Sequence, residues 1–249
     1  MTAKVVFITG SSRGIGAACA LLAAERGYAV CINYLHNQAA AQQVVEAIER
    51  AGGTAVALQG DVASEDNVTA MFRAIDARFG RLDALVNNAG ILQRQMRVDQ
   101  MDAARLNQIL ATNVTGSFLC AREAVRRMST AHGGAGGAIV NLSSRAAVLG
   151  AAGEYVDYAA SKAAVDALTI GLAREVAGEG IRVNGVRPGL IRTDIHASGG
   201  EPGRVDRLEA AVPMGRGGQP IEVAHAVLWL LADESSYVTG SIIDVAGGR

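Results

Sequence analysis

The sequence predicts an α/β protein: one doubly wound, seven-stranded parallel sheet with helices packed on both faces. Three observations carry the prediction. Short β-branched runs alternate with longer Ala-rich stretches of helical character. Most strand candidates are nearly continuous apolar runs, the pattern of strands covered on both faces. No Pro/Ser-rich linker, shift of composition or repeat of about 20–50 residues divides the 249 residues, so a single domain is expected.

The elements follow in order. The first strand, Lys4–Thr9, runs into a helical stretch over 14–26. The strand Ala29–Asn33 precedes a helix over 38–51, in which Ala41, Val44, Val45 and Ile48 fall on one stripe. Thr54–Gln59 leads to a helix over 64–79, and Ala84–Asn87 to a long helix over 102–129. Ala138–Leu142 precedes a helix over 155–178, and Arg182–Val186 precedes one over 220–232. Ser241–Asp244 closes the series, and each crossover is expected to be right-handed. The glycine run His132–Gly137 reads as a flexible connector. The segment 190–219, broken by Pro202 and Pro213 with Pro220 just beyond, reads as a substrate lid over about 190–215.

Composition excludes several functions. Half of the chain is hydrophobic, too much for disorder. With 23 basic against 24 acidic residues and a net charge of −1, nothing marks a grip on nucleic acid or an anionic membrane. Aromatics at 4% are too few for a base-stacking platform. Apolar runs such as Val5–Ile8 and Ala226–Ala232 fall far short of the about 18 residues of a membrane span. No secretory leader pattern is evident, and Cys19, Cys31 and Cys120 read as buried free thiols. A soluble cytoplasmic protein without a metal is expected.

The chemistry concentrates at two places. KVVFITGSSRGIG places Gly10, Gly14 and Gly16 after the first strand and at the mouth of the first helix, a Rossmann-type dinucleotide turn. There the backbone can approach a pyrophosphate at the positive helix end, with Ser12 and Ile15 in the same turn. Asp61-Val62 follows the third strand, where the carboxylate could accept from an adenine amino group or merely cap a helix. Asn87-Asn88-Ala89-Gly90 follows the fourth strand with small residues that let a ligand lie against the backbone. Where the second strand ends, Asn33, Tyr34 and His36 offer no acid to a ribose 2′-hydroxyl, whereas Arg13 inside the glycine turn could meet a 2′-phosphate. NADP(H) is therefore favoured over NAD(H).

At the second place, Tyr158 and Lys162 stand at i and i+4 on one helix face, with Ser143-Ser144 at the end of the fifth strand before them. The two serines point to opposite faces, and Ser144 is preferred as the one that meets the tyrosine. Asn113 is a poor helix former inside its predicted helix, which suggests a specific task for its amide. Tyr155 has Ala159 at i+4 and cannot be the lysine-paired phenol. His36, His132, His196 and His225 are dispersed, and no Gly-x-Ser-x-Gly elbow accompanies them.

The chain resembles the short-chain dehydrogenases/reductases over essentially its whole length, near the 3-oxoacyl-carrier-protein reductases and sugar dehydrogenases. The matching motifs are Thr9-Gly10-x-x-x-Gly14-Ile15-Gly16, Asp61-Val62, Asn87–Gly90, Asn113, Ser144, Tyr158-x-x-x-Lys162 and Pro188-Gly189 with Thr193. The resemblance implies interconversion of a carbonyl and a secondary alcohol by hydride transfer. It makes Tyr158 the general acid/base, its pKa lowered by the Lys162 ammonium, which also holds the nicotinamide ribose. It gives Ser144 the substrate oxygen and Asn113 a water on the proton path. Pro188, Gly189, Ile191 and Thr193 would hold the carboxamide. It further implies a homotetramer joined through the helices over 102–129 and 155–178. Arg122, Arg126, Arg127 and Arg174 are either a solvated face or a dock for an acidic acyl carrier protein. Two alternatives stand beside this reading: an NAD-dependent alcohol or sugar dehydrogenase, and a catalytically silent dinucleotide sensor on the same fold.

Overall fold

The computed structural model describes residues 3–249. Seven parallel strands form one sheet in the order β3-β2-β1-β4-β5-β6-β7. In chain order they are β1 (Val5–Ile8), β2 (Ala29–Tyr34), β3 (Thr54–Gln59), β4 (Ala84–Asn87), β5 (Gly137–Leu142), β6 (Ile181–Pro188) and β7 (Ile242–Val245). The helices are α1 (Gly14–Glu25), α2 (Gln38–Arg50), α3 (Glu65–Phe79), α4 (Ala103–Leu110), α5 (Gly116–Met128), α6 (Ala146–Leu149), α7 (Val156–Val176), α8 (Ile195–Ser198), α9 (Arg204–Leu208) and α10 (Pro220–Leu231).

Alternation along β1 divides the core in two. Val6 and Ile8 join a cluster that packs against α1, α2 and α10, while Val5 and Phe7 join one against α3, α5 and α7. Phe7 meets Phe72 of α3 edge to face, with ring centroids 5.2 Å apart. Strand order reverses between β1 and β4, and open α/β sheets bind ligands at the carboxyl end of such a switch. A buried polar row ties the elements there together. Asn87 donates to Asn141 and Asn141 donates to Thr169 of α7, each at 2.9 Å.

Three expectations are corrected. The helix over 102–129 is interrupted by one π turn, Ala111–Thr115, with Asn113 fully buried within it. The run His132–Gly137 is packed rather than flexible: Gly134 and Gly136 lie so close to the carbonyls of Arg127 and Gly180 that a Cβ would come within 2.4 and 2.5 Å of them. Strand β6 extends to Pro188, past the predicted Val186, because β7 pairs with it as far as Pro188↔Val245. The segment 190–219 folds into α8 and α9 around its own small cluster of Leu190, Val205 and Val212. A bridge between Ile191 and Gly218 closes its base.

Candidate active site

The glycine turn is held in shape by its neighbours. Gly10 and Gly14 take φ of 61° and 57°, backbone that favours glycine. A Cβ on Gly10 would lie 2.9 Å from Ala89 Cα, and one on Gly16 would lie 2.5 Å from Asn88 Nδ2. Thr9 Oγ1 accepts from the amides of Asn88 and Ala89 at 3.0 and 2.9 Å, and Asn88 Nδ2 donates to Thr9 O at 2.8 Å. Asn33 works from the other side, accepting from Gly10 N and donating to Gly60 O, both at 2.9 Å. The turn opens onto an α1 N-terminus that no side chain caps, so its first N–H groups are free for an anion.

Across the switch point, Tyr158 and Lys162 project from successive turns of α7. Burial pushes the Tyr158 phenol pKa up to about 12, a rise that the neighbouring Ser144 hydroxyl opposes. Lys162 Nζ donates to Leu142 O at 2.7 Å and sits 5.7 Å from the Tyr158 ring centroid. Its pKa falls to about 8 because the ammonium is buried, with Asp166 opposing the fall. Asn113 donates to Ser161 Oγ and Ile91 O at 3.0 Å and accepts from Ile91 N at 2.8 Å. A Cβ on Gly90 would touch both Lys162 Nζ, at 3.3 Å, and Asn113 Oδ1, at 3.4 Å, so these two groups flank the same backbone. Ser143 also borders the cavity but is 4% exposed and donates to Lys162 O at 3.1 Å.

A single cavity of about 830 Å³ joins the two ends. Its nucleotide end is walled by Gly10, Ser12, Arg13, Gly14, Ile15, Tyr34, His36, Asp61 and Val62. Asn88, Ala89 and Gly90 form the middle, and Ser144, Tyr158, Lys162, Pro188, Gly189, Ile191 and Thr193 the far end. Gly14 and Thr193 meet, since a Cβ on the glycine would lie 3.5 Å from the threonine methyl. Arg13 is exposed, with no acidic partner among the described residues, and no carboxylate lies at the end of β2.

Comparison with known proteins decides the family. A family model described as Enoyl-(Acyl carrier protein) reductase matches residues 10–249. The chain is 60% identical over 245 residues to the uncharacterized oxidoreductase YgfF of Escherichia coli K12, covering 98% of this chain and 99% of that one. It is 38% identical to the 3-oxoacyl-[acyl-carrier-protein] reductase FabG of Staphylococcus aureus N315, over 98% of this chain and 97% of that one. A short-chain type dehydrogenase/reductase from Mycobacterium marinum superimposes with a TM-score of 0.92 at 37% identity, over 98% of this chain and 94% of that one. The chain belongs to the short-chain dehydrogenase/reductase family.

Within this dehydrogenase/reductase fold, several expected contacts differ in kind. Asn33 lines the cavity but is only 2% exposed, and its amide also braces the glycine turn. Gly16 lies beneath the turn and does not line the cavity. The Tyr158 pKa is raised, not lowered, because burial outweighs the neighbouring Ser144 hydroxyl, and the Lys162 ammonium donates to the Leu142 carbonyl. Asp61 Oδ1 accepts from Ala63 N at 2.9 Å, leaving Ser64 as the cap of α3.

The sequence reading missed three contributions. Buried Ser11 accepts from Asn33 N and donates to Ile8 O. Arg105 of α4 pairs with Asp157 at 2.7 Å, both almost wholly buried. Tyr155 is buried, donates to Gly199 O at 3.2 Å and lies under the Arg204 guanidinium, which also pairs with Glu154. This last group fastens the segment of α8 and α9 to the start of α7. Only the Arg105–Asp157 pair had a signal: an acid directly before the tyrosine and an arginine four residues ahead of a buried Ile109. Arg122, Arg126 and Arg127 are each paired with acids among Glu65, Asp76 and Glu123.

Proposed function

We propose that the chain is an NADP(H)-dependent oxidoreductase that interconverts a carbonyl and a secondary alcohol. The observation that carries the reading is that Ser144, the Tyr158 phenol and Lys162 line the same cavity as the uncapped α1 end and its glycine turn. That turn fits a dinucleotide: Gly10, Gly14 and the free N–H groups of α1 would take the pyrophosphate, with Asp61 and Val62 beside the adenine. Arg13 and the acid-free end of β2 favour the 2′-phosphate over a bare ribose. Lys162 would hold the nicotinamide ribose, and Pro188, Gly189, Ile191 and Thr193 the carboxamide. When bound, the nicotinamide supplies the hydride for reduction or takes it up in oxidation.

The rest falls to the chain's own side chains. A phenol with its pKa near 12 remains protonated at neutral pH, so Tyr158 is ready to donate a proton to a carbonyl oxygen. In the oxidative direction the Lys162 ammonium, 5.7 Å from the ring centroid, stabilises the phenolate that must form. Ser144 would donate a hydrogen bond to the substrate oxygen and hold it against the phenol. Asn113 and Lys162, flanking Gly90, would share a water that resupplies the proton. Leu92, Leu149, Tyr155 and Ile195 give the substrate end largely apolar walls, covered by a lid over about 190–215. Exposed Leu110, Phe118 and Ile170 on α4, α5 and α7 support a homotetramer joined through those helices. Among the described residues no helix is long and apolar enough to cross a membrane, which accords with a cytoplasmic enzyme.

The test is consumption of NADPH and NADH over 3-oxoacyl thioesters, diketones, ketoses, ketosteroids and quinones, with Arg13→Ala alongside. Turnover with NADPH, weakened more for NADPH than for NADH by the substitution, supports the reading. A preference for NADH, unchanged by Arg13→Ala, would hand it to the NAD-dependent dehydrogenase. Tight binding without turnover of any class would favour a sensor.

A further inference from the structure

Tyr158 and Lys162 lie on a stripe of α7 that continues, one turn further, to Asp166. Asp166 is 8% exposed. Its Oδ2 accepts from Arg187 of β6 through Nε at 2.9 Å and Nη2 at 2.8 Å, whereas its Oδ1 is buried with no partner. Arg187 stands in register with Asp244 of β7, with Nη1 3.7 Å from Asp244 Oδ1. Asp244 Oδ2 in turn accepts from Arg145 Nη1 at 2.5 Å, and Arg145 directly follows Ser144 and lines the cavity. Four alternating charges thus run from the edge of the site, across the open end of β6 and β7, to the back of the catalytic helix. The two ends carry unpartnered buried atoms, Arg145 Nε and Asp166 Oδ1.

We propose that Asp166, oriented by the Arg187–Asp244–Arg145 chain, is a positioning residue that keeps the buried Lys162 ammonium charged at neutral pH. The proposal rests on the reading that Lys162 serves the cofactor and proton site. The groups that face the lysine define the problem. From α7 come Tyr158 and Asp166, from β5 the Leu142 carbonyl, and from the opposite wall Asn113 and the Gly90 backbone. Arg187, Asp244 and Arg145 stand behind Asp166. The acceptor of Nζ is the uncharged Leu142 carbonyl, and Asp166, one helical turn further along α7, opposes the fall of the lysine pKa. Burial alone disfavours an ammonium, so a fixed negative charge one helical turn away is what opposes its loss of a proton. The two-nitrogen grip of Arg187 fixes where that charge sits.

The chain makes the test direct, because Lys4 and Lys162 are its only lysines. Protein labelled with ¹³Cε-lysine therefore shows two side-chain signals, and Lys4 is assigned by Lys4→Arg. The Lys162 signal of the parent should titrate near 8. In Asp166→Asn the midpoint should fall by about one unit or more, and Asp166→Glu should bring it back toward the parent. A midpoint of about 7 leaves about a tenth of Lys162 charged at pH 8 against half in the parent, so kcat/KM at that pH should drop about fivefold. At pH 6 the two should agree. If Asp166→Asn loses solubility, the double variant Asp166→Leu/Arg187→Met removes both charges of that pair together and strands neither partner. It should shift the midpoint in the same direction. Midpoints and pH profiles that superimpose on the parent, with only the melting temperature lowered, overturn the proposal and make Asp166 a structural tie. Failure of the parent to bind either dinucleotide would sink the functional reading instead, leaving the lysine titration to be judged on its own.

Discussion

Replacing Arg105 with alanine tests how the catalytic helix is anchored. The guanidinium donates to Asp157 through Nε at 2.7 Å and Nη2 at 3.3 Å, and through Nη1 to Arg94 O at 2.7 Å. Side-chain exposures of 7% and 2% place the pair out of water. Removing one partner of such a pair strands a charge and costs about 3–5 kcal/mol. For a chain of this size each kcal/mol lowers the melting temperature by about 2–4 °C, so a fall of about 6–20 °C is expected. The damage should reach the site as well, since Asp157 Oδ1 accepts from Tyr158 N at 2.9 Å and the freed carboxylate will turn toward water. The assay is thermal unfolding by circular dichroism at neutral pH, with Arg105→Leu/Asp157→Leu measured in parallel. The double variant should recover most of the loss, because it leaves nothing charged behind. A single variant within 1 °C of the parent, or a double variant as unstable as the single, would refute the reasoning.

Other consequences can be checked as simply. Burial pushes the thiols of Cys19, Cys31 and Cys120 to about 12, so none should react with a thiol reagent at pH 8 until the chain unfolds. Because those folded values lie above the unfolded one, their stabilising contribution is whole below about pH 8.5 and should drain away as pH rises toward 12, measurable by denaturant titration. Gly16→Val should abolish dinucleotide binding while leaving a folded sheet, read by fluorescence titration with NADPH, because its Cβ would strike Asn88 Nδ2 and Gly10 O within 2.6 Å. Phe118→Glu with Ile170→Asp should convert the proposed tetramer to smaller species on light scattering, with unchanged circular dichroism. An assembly of unaltered mass would remove those faces from the interface.

Much of the architecture was legible because the central strands β1, β2, β4 and β5 bury both faces and are largely apolar. β1 and β4 show this best, and their predicted limits lie within a residue of those observed. The π turn at Asn113 escaped because its cause is remote: the amide bonds to Ile91 and Ser161, 22 and 48 residues away. The packed glycines at 134 and 136 looked flexible for the same reason, since a close carbonyl leaves no trace in composition. At the site, the glycine turn, Ser144, Tyr158 and Lys162 announced themselves by order and spacing. What spacing could not convey was burial, which sets the Asn33 amide bracing the glycine turn and raises the phenol pKa that the nearby lysine was expected to lower. The Arg145–Asp244–Arg187–Asp166 chain joins four separate elements and could be seen only once the sheet was in register.

The central claim is that Tyr158 carries the proton, and Tyr158→Phe measures it most directly. The variant keeps the ring's packing and removes only the hydroxyl. NADPH binding should remain within a few-fold of the parent by fluorescence, while turnover of the best carbonyl substrate should fall by about 10²–10⁴-fold at neutral pH. Turnover equal to the parent's, with binding intact, would contradict the account and require another group in the cavity to supply the proton.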